Sequence, residues 1–281
     1  NLCLVKYLVD KRCDPGATFG NGMTVMHVAA ANGNIRLLRY LFSRGGDVRA
    51  KDSTGYTVLH SAAASGKLEA AQYLVSKGAD IGGKIDSGMT VLHVAAASGN
   101  LELVGYLVAQ GCDVQTKDNF GESVLHSAAS SGNLALVKYL VAAGAIPKAA
   151  DNDGKTVLHV AVGTGRLDLV EYLVSCGCDV QAKDNEGETV LHFAARGGSL
   201  AVVHYLVTKG CDIHVKDDYG LTVLHAAGVS RNLDLVNYLV ENGCDINAQD
   251  EDGKTVLAHA VEESSPQFVF GLIKLGAKVT P

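Results

Sequence analysis

Apolar residues along the chain fall into two alternating kinds of stripe. In residues 184–216, Val190, Leu191, Ala194 and Ala195 share one face of a short helix. Leu200, Val202, Val203, Leu206 and Val207 then form a second stripe at helical spacing. Gly197-Gly198 separates the two and supplies the left-handed residue that ends a helix; Gly210 ends the second. Upstream, Asp184-Asn185-Glu186-Gly187 is a turn, because Asp and Asn bond their own backbone and Gly admits positive φ. Thr189 is placed to cap the first helix. Cys211-Asp212-Ile213 leads back, extended, toward the next Gly. The pattern predicts helix, tight turn, helix, hairpin-like loop. The small Ala pair lets the first helix approach its neighbours, and the longer residues of the second fill the space between units.

The same pattern recurs. His27, His60, His93, His126, His159, His192 and His225 are each 33 residues apart, inside Thr-Val-Leu-His or close variants. Glycine ladders from Gly22 to Gly253 and from Gly45 to Gly276 keep that register, and a third runs from Gly33 to Gly198 before breaking at Arg231 and Ser264. A fixed period of this size signals a stack of units that cannot bury their apolar faces alone.

Thr90-Val91-Leu92-His93-Val94-Ala95 and its copies resemble the ankyrin-repeat signature, with Val where that signature has Pro. The resemblance covers essentially the whole chain and implies an all-α ankyrin-repeat solenoid of stacked helix-turn-helix units with hairpin-like loops. It predicts one domain over 1–281: a half repeat at 1–18, full repeats at 19–51, 52–84, 85–117, 118–150, 151–183, 184–216 and 217–249, and a capping repeat at 250–281. Valine forgoes the preset φ of proline, a loss of about 0.4–1 kcal/mol per repeat where the geometry fits.

The ends and two inner units deviate. Residues 2–9 match a second helix lacking its first, so the chain is expected to be a segment of a longer protein. In the last repeat Ala258 stands in place of His, Ser264 in place of Gly, and Pro266 opens the second helix; Glu262 and Glu263 add polarity. Ile146-Pro147 interrupts the usual Asp-Val, and Arg231 must adopt or avoid a left-handed conformation.

Composition narrows the function. The net charge of −6 argues against nucleic acid as a partner, since phosphate neutralisation needs a basic face. No apolar run reaches the roughly 18 residues of a membrane helix. Unpaired cysteines in a repeated position point to a reducing, intracellular setting, cytoplasmic or nuclear.

The repeated side chains suggest chemistry, but spacing speaks against most of it. Packed helices lie about 8–10 Å apart, so equivalent histidines of neighbouring repeats cannot share a metal that needs ligands at about 2.1 Å. In ankyrin repeats the Thr and His of the motif hold the loop, and that role is expected here. Cys13, Cys112, Cys178, Cys211 and Cys244 are equivalent and too far apart for disulfides, which need Cα atoms within about 7 Å. Cys3 is the expected reactive thiol. Tyrosines at 7, 40, 73, 106, 139, 172, 205 and 238 pack between units. No nucleophile–base pair recurs with an orienting third group, so no enzyme, metal or cofactor is expected.

What varies is the surface. In ankyrin repeats, loop tips and inner helices line a concave groove that binds proteins. Carried over by position, the candidate contacts at the tips are Met23, Tyr56, Met89, Phe120, Tyr219 and Leu221, with Phe193 and Arg196 on an inner helix. Exposed aromatics and Met beside small residues suit a binding surface. The expectation is a non-catalytic module, a monomeric segment of a larger protein, that holds a protein or peptide in its groove. The alternative is a structural spacer positioning other domains.

Overall fold

A computed structural model describes residues 14, 16–262 and 266–279. The helix expected over 2–9, with Cys3, and positions Cys13, Glu263 and Ser264 lie outside the described residues. The chain divides into two compact units, at 1–146 and 147–281.

The first unit opens with a short antiparallel hairpin, β1 (Thr18–Phe19) and β2 (Met23–Thr24), paired Thr18 to Thr24 and Phe19 to Met23. Four helix pairs follow: α1 (Val25–Ala31) with α2 (Ile35–Ser43), α3 (Val58–Ala64) with α4 (Leu68–Ser76), α5 (Val91–Ala97) with α6 (Leu101–Ala109), and α7 (Val124–Ser130) with α8 (Leu134–Ala142). The second unit holds α9 (Val157–Gly163) with α10 (Leu167–Ser175), α11 (Val190–Arg196) with α12 (Leu200–Thr208), α13 (Val223–Ser230) with α14 (Leu233–Glu241), and α15 (Val256–Glu262) with α16 (Pro266–Lys274). Within each unit, first helices pack on first helices and second on second, giving two layers.

The motif explains each first helix. Thr90 caps α5 with extended backbone, and its side chain accepts from the His93 N–H. The His93 ring reaches back, its Nδ1 accepting the Thr90 N–H at 3.2 Å and lying 2.8 Å from Thr90 Oγ1. This is a capping box with imidazole in the place of Glu or Gln. Because Nδ1 is an acceptor, Nε2 carries the proton, and it donates to the Glu122 carbonyl of the next repeat at 3.3 Å. His27 to Tyr56, and in the second unit His192 to Leu221 and His225 to Lys254, do the same. The histidines are therefore structural, as expected.

The valines answer the missing proline. Val157 and Val190 donate their N–H to Ala149 and Ala182 at 3.2 Å, bonds that proline cannot make. The valine side chains of α3, α5, α7, α9, α11 and α13 are fully buried at the first helical position. The expected loss relative to proline is thus offset where the N–H has a partner.

Loops join the repeats side by side. In the first unit Asp86 donates to Thr54 and Asn119 to Ser87; in the second, Asn185 donates to Asp153, Asp218 to Glu186 and Glu251 to Tyr219, all backbone bonds of 2.8–3.0 Å. Most loops are tied by an aspartate: Asp118 Oδ1 accepts the N–H groups of Phe120 and Glu122, and Asp217 Oδ1 those of Tyr219 and Leu221. Ile85 holds this position in one repeat. The exposed ladder lysines bridge to the helix caps, as Lys84 does to Thr90.

Cys112, Cys176, Cys178, Cys211 and Cys244 are free. Four of them give their thiol to a carbonyl of the preceding repeat, as Cys211 does to Val180 at 3.2 Å. Burial pushes the thiols of Cys112, Cys178, Cys211 and Cys244 up to about 11, so they are poor nucleophiles.

Arg231 does adopt the left-handed conformation, at φ 55°, and α13 runs one residue longer than its counterparts. Pro266 opens α16 as the pattern predicts. Val261, Ile273 and Val279 of the last repeat are exposed. The counterparts of Val261 and Val279, Ala195 and Ile246, are buried, and that of Ile273, Val240, is half-buried, so the outer face of this repeat is apolar.

Candidate functional site

The first helices of the second unit line a concavity. It is a cavity of about 150 Å³ bounded by α11, α13 and α15 and the loops before them. Small and branched residues make its floor: Ala226, Gly228, Val229, Val256 and Ala260. Gly228 is needed there, because a Cβ would meet Val256 Cγ2 at 2.7 Å. Val229 stands exposed beside it where other repeats carry Ala, Ser, Gly, Arg or Glu.

Polar groups stand on two sides. On one, the buried Glu188 carboxylate accepts a hydrogen bond from the Arg196 guanidinium. Arg196 also lies over the Phe193 ring, 5.2 Å from its centroid, and that ring packs edge-on against His159 at 5.0 Å. Phe193 and Glu188 thus hold the Arg196 guanidinium between them. On the other side, His259 Nε2 lies 2.8 Å from Asp250 Oδ2, and its ring meets His225 edge-on at 5.8 Å. Burial would raise the Asp250 carboxyl, but hydrogen bonds from His259 and the Lys254 N–H hold it below the ordinary value. Burial lowers both His192 and His225 from 6.5, so each is neutral at pH 7 and acts as a fixed hydrogen-bond donor. Neither Ser, Thr, Cys nor Lys is among the described residues lining the cavity.

A profile of ankyrin repeats, three copies in tandem, matches residues 1–85, 92–184 and 191–281. The chain belongs to the ankyrin-repeat family. Its members are generally protein–protein interaction modules and typically non-catalytic. A comparison with curated proteins returns no match. Among the described residues no helix is long and apolar enough to cross a membrane.

On this ankyrin frame the expected contact residues separate into groups. Arg196 and Leu221 line the cavity and Phe193 supports Arg196. Tyr219, 55% exposed, projects from the adjoining loop, whose backbone Asp217 holds. Met23, Tyr56, Met89 and Phe120 sit on successive loops of the first unit. Phe120 is 64% exposed, while Met23, Tyr56 and Met89 are half-buried. Tyr56 packs its ring 5.2 Å from His60. The sequence reading missed Glu188 as the partner of Arg196, and it missed His259 and Asp250. The signal for His259 is the loss of the ladder histidine at Ala258 with a histidine one residue later.

Proposed function

We propose that this chain is a non-catalytic recognition module that binds a protein segment along its first-helix and loop-tip surface. In the second unit an apolar side chain of the partner enters the cavity floored by Ala226, Val229 and Val256. The observation that carries this reading is that cavity: an apolar lining of about 150 Å³ takes a group the size of benzene. Its rim offers fixed polar groups, Arg196 and the imidazoles, to orient what enters. The exposed rings of Phe120 and Tyr219 suit anchor contacts elsewhere on the same kind of surface. The reading includes a reducing intracellular setting, in keeping with the unpaired cysteines.

The test is affinity capture with the full chain beside a variant carrying Ala at Tyr56, Phe120, Phe193 and Tyr219, matched by circular dichroism. Proteins retained by wild type and lost by the variant support the reading, and direct titration of such a protein against Phe193→Ala and Val229→Arg then maps the contact. Equal retention by both overturns it. Retention of nothing by either favours a spacer role.

A further inference from the structure

We propose that His225, Asp250 and His259 form a zinc site at the edge of the α11–α13–α15 cavity. This is an addition to the recognition reading and does not depend on it.

The position of His259 is held in the other repeats by Val28, Ser61, Val94, Ser127, Val160, Phe193 and Ala226. The ladder position itself is Ala258. Moving the histidine by one residue turns it about 100° around the helix. It leaves the loop socket that every ladder histidine fills and faces the ladder histidine of the preceding repeat. The spacing that separates equivalent histidines does not apply to this pair, because His225 and His259 are not equivalent.

The geometry brings three ligand atoms toward one point. One ligand atom from each of His225, Asp250 and His259 lies within 4.8 Å of the other two. The closest pair, His259 Nε2 and Asp250 Oδ2, is at 2.8 Å. Zinc bonds of about 2.0–2.2 Å in a tetrahedron set ligand atoms roughly 3.3–3.5 Å apart. Convergence therefore asks for side-chain shifts of about 1–1.5 Å at most. His259, 38% exposed at its side chain, is free to make them.

The outer contacts suit metal binding. When His225 Nε2 binds the ion, its proton moves to Nδ1, which lies 2.8 Å from Thr222 Oγ1 and donates to it. That hydroxyl then orients the ring, as the partner of a ligating histidine ordinarily does. The remaining oxygen of Asp250 is already held by the Lys254 N–H at 2.8 Å. Two bonds are given up: Nε2 to the Lys254 carbonyl, at 3.2 Å, and the Thr222 N–H to Nδ1, also at 3.2 Å. Two imidazoles and one carboxylate favour zinc over magnesium or calcium, which prefer oxygen ligands. Three protein ligands leave a fourth position for water.

The experiment is calorimetric titration of zinc chloride into the full chain, freed of metal by chelator, with cobalt(II) absorption as a second measurement. The expected result is one ion per chain with a micromolar dissociation constant. His259→Gln should weaken binding by more than about tenfold, and Asp250→Asn likewise. Cobalt should give the spectrum of a nitrogen–oxygen site without thiolate charge transfer. The Gln variant should melt close to wild type without metal, because its amide can still donate to Asp250 Oδ2. The absence of saturable binding in wild type overturns the proposal. So does equal affinity in His259→Gln, or a thiolate band, which would move the ion to the cysteines.

Discussion

Acidification from about pH 7 to about pH 5 should destabilise the fold through its buried motif histidines, and the size of the effect follows from one of them. Burial pushes the His60 imidazole from 6.5 down to about 4, with the nearby Lys51 charge acting in the same direction. His93, His159 and His192 are lowered by burial as well. A group whose folded value lies below its unfolded one takes up more protons when unfolded, so stability rises with pH across the gap. The contribution of His60 is complete above about 6.5 and is lost progressively as the pH falls toward about 4. At about pH 5 the unfolded imidazole is almost fully protonated and the folded one almost fully neutral, which removes about 2 kcal/mol for His60 alone. Against a usual total of about 5–15 kcal/mol, that is a large fraction before the other three are counted. Asp168, held below the usual carboxylate value by its Arg166 hydrogen bond, titrates beneath this window. The assay is the urea midpoint by circular dichroism at three pH values and constant ionic strength, for wild type and His60→Gln. Glutamine keeps a side-chain acceptor at the third position of the capping box but cannot titrate. The variant should start lower at pH 7 and lose about 2 kcal/mol less on acidification than wild type. A wild-type midpoint that stays fixed between these pH values, or identical pH dependence in both proteins, refutes the reasoning.

Three further outcomes are expected. Val91→Pro should lie within about 1 kcal/mol of wild type, because Thr90 is already extended and the Val91 N–H makes no bond of the kind Val190 makes. Val190→Pro should cost about 1 kcal/mol more, since it deletes the bond to Ala182; paired urea titrations decide between them. Arg231→Gly should stabilise by about 1 kcal/mol through relief of the left-handed backbone, raising the melting temperature by about 2–4 °C. Asp217→Ala should cost about 2–3 kcal/mol by leaving the Tyr219 and Leu221 N–H groups without their acceptor, and hydrogen exchange at those two amides should quicken.

Most of the frame is legible in the sequence because each structural role is repeated. Thr as cap, Gly as the left-handed stop, and Cys as a thiol too distant from its equivalents to bridge follow from spacing and side-chain chemistry; the loop-holding role of His comes with the family resemblance, and the left-handed backbone of Arg231 is settled only by the structure. The fate of the valine N–H does not. Whether it finds Ala149 or Ala182 within reach depends on how the preceding loop folds back, and the same tripeptide gives different answers in different repeats. Pairings such as Arg196 with Glu188 are equally hidden, since Glu188 lies in the loop before the cap and Arg196 at the far end of α11.

The histidine ladder shows why periodicity is a poor guide to function here. Equivalence fixes a distance of one helix spacing between like residues, and that distance rules out joint chemistry among them. The features that can act on a ligand are therefore those with no equivalent. Glu188, Phe193, Arg196, Val229 and His259 each depart from what neighbouring repeats carry, and the structure gathers all five around α11, α13 and α15. Most frame residues are committed to caps, loops and core, so a change at them is read out as stability; His225 and Asp250 are frame residues that the proposed zinc site also uses. A change at one of these five should alter binding with little effect on melting, and the separation of those two readouts is what distinguishes a recognition surface from drift on a stable scaffold.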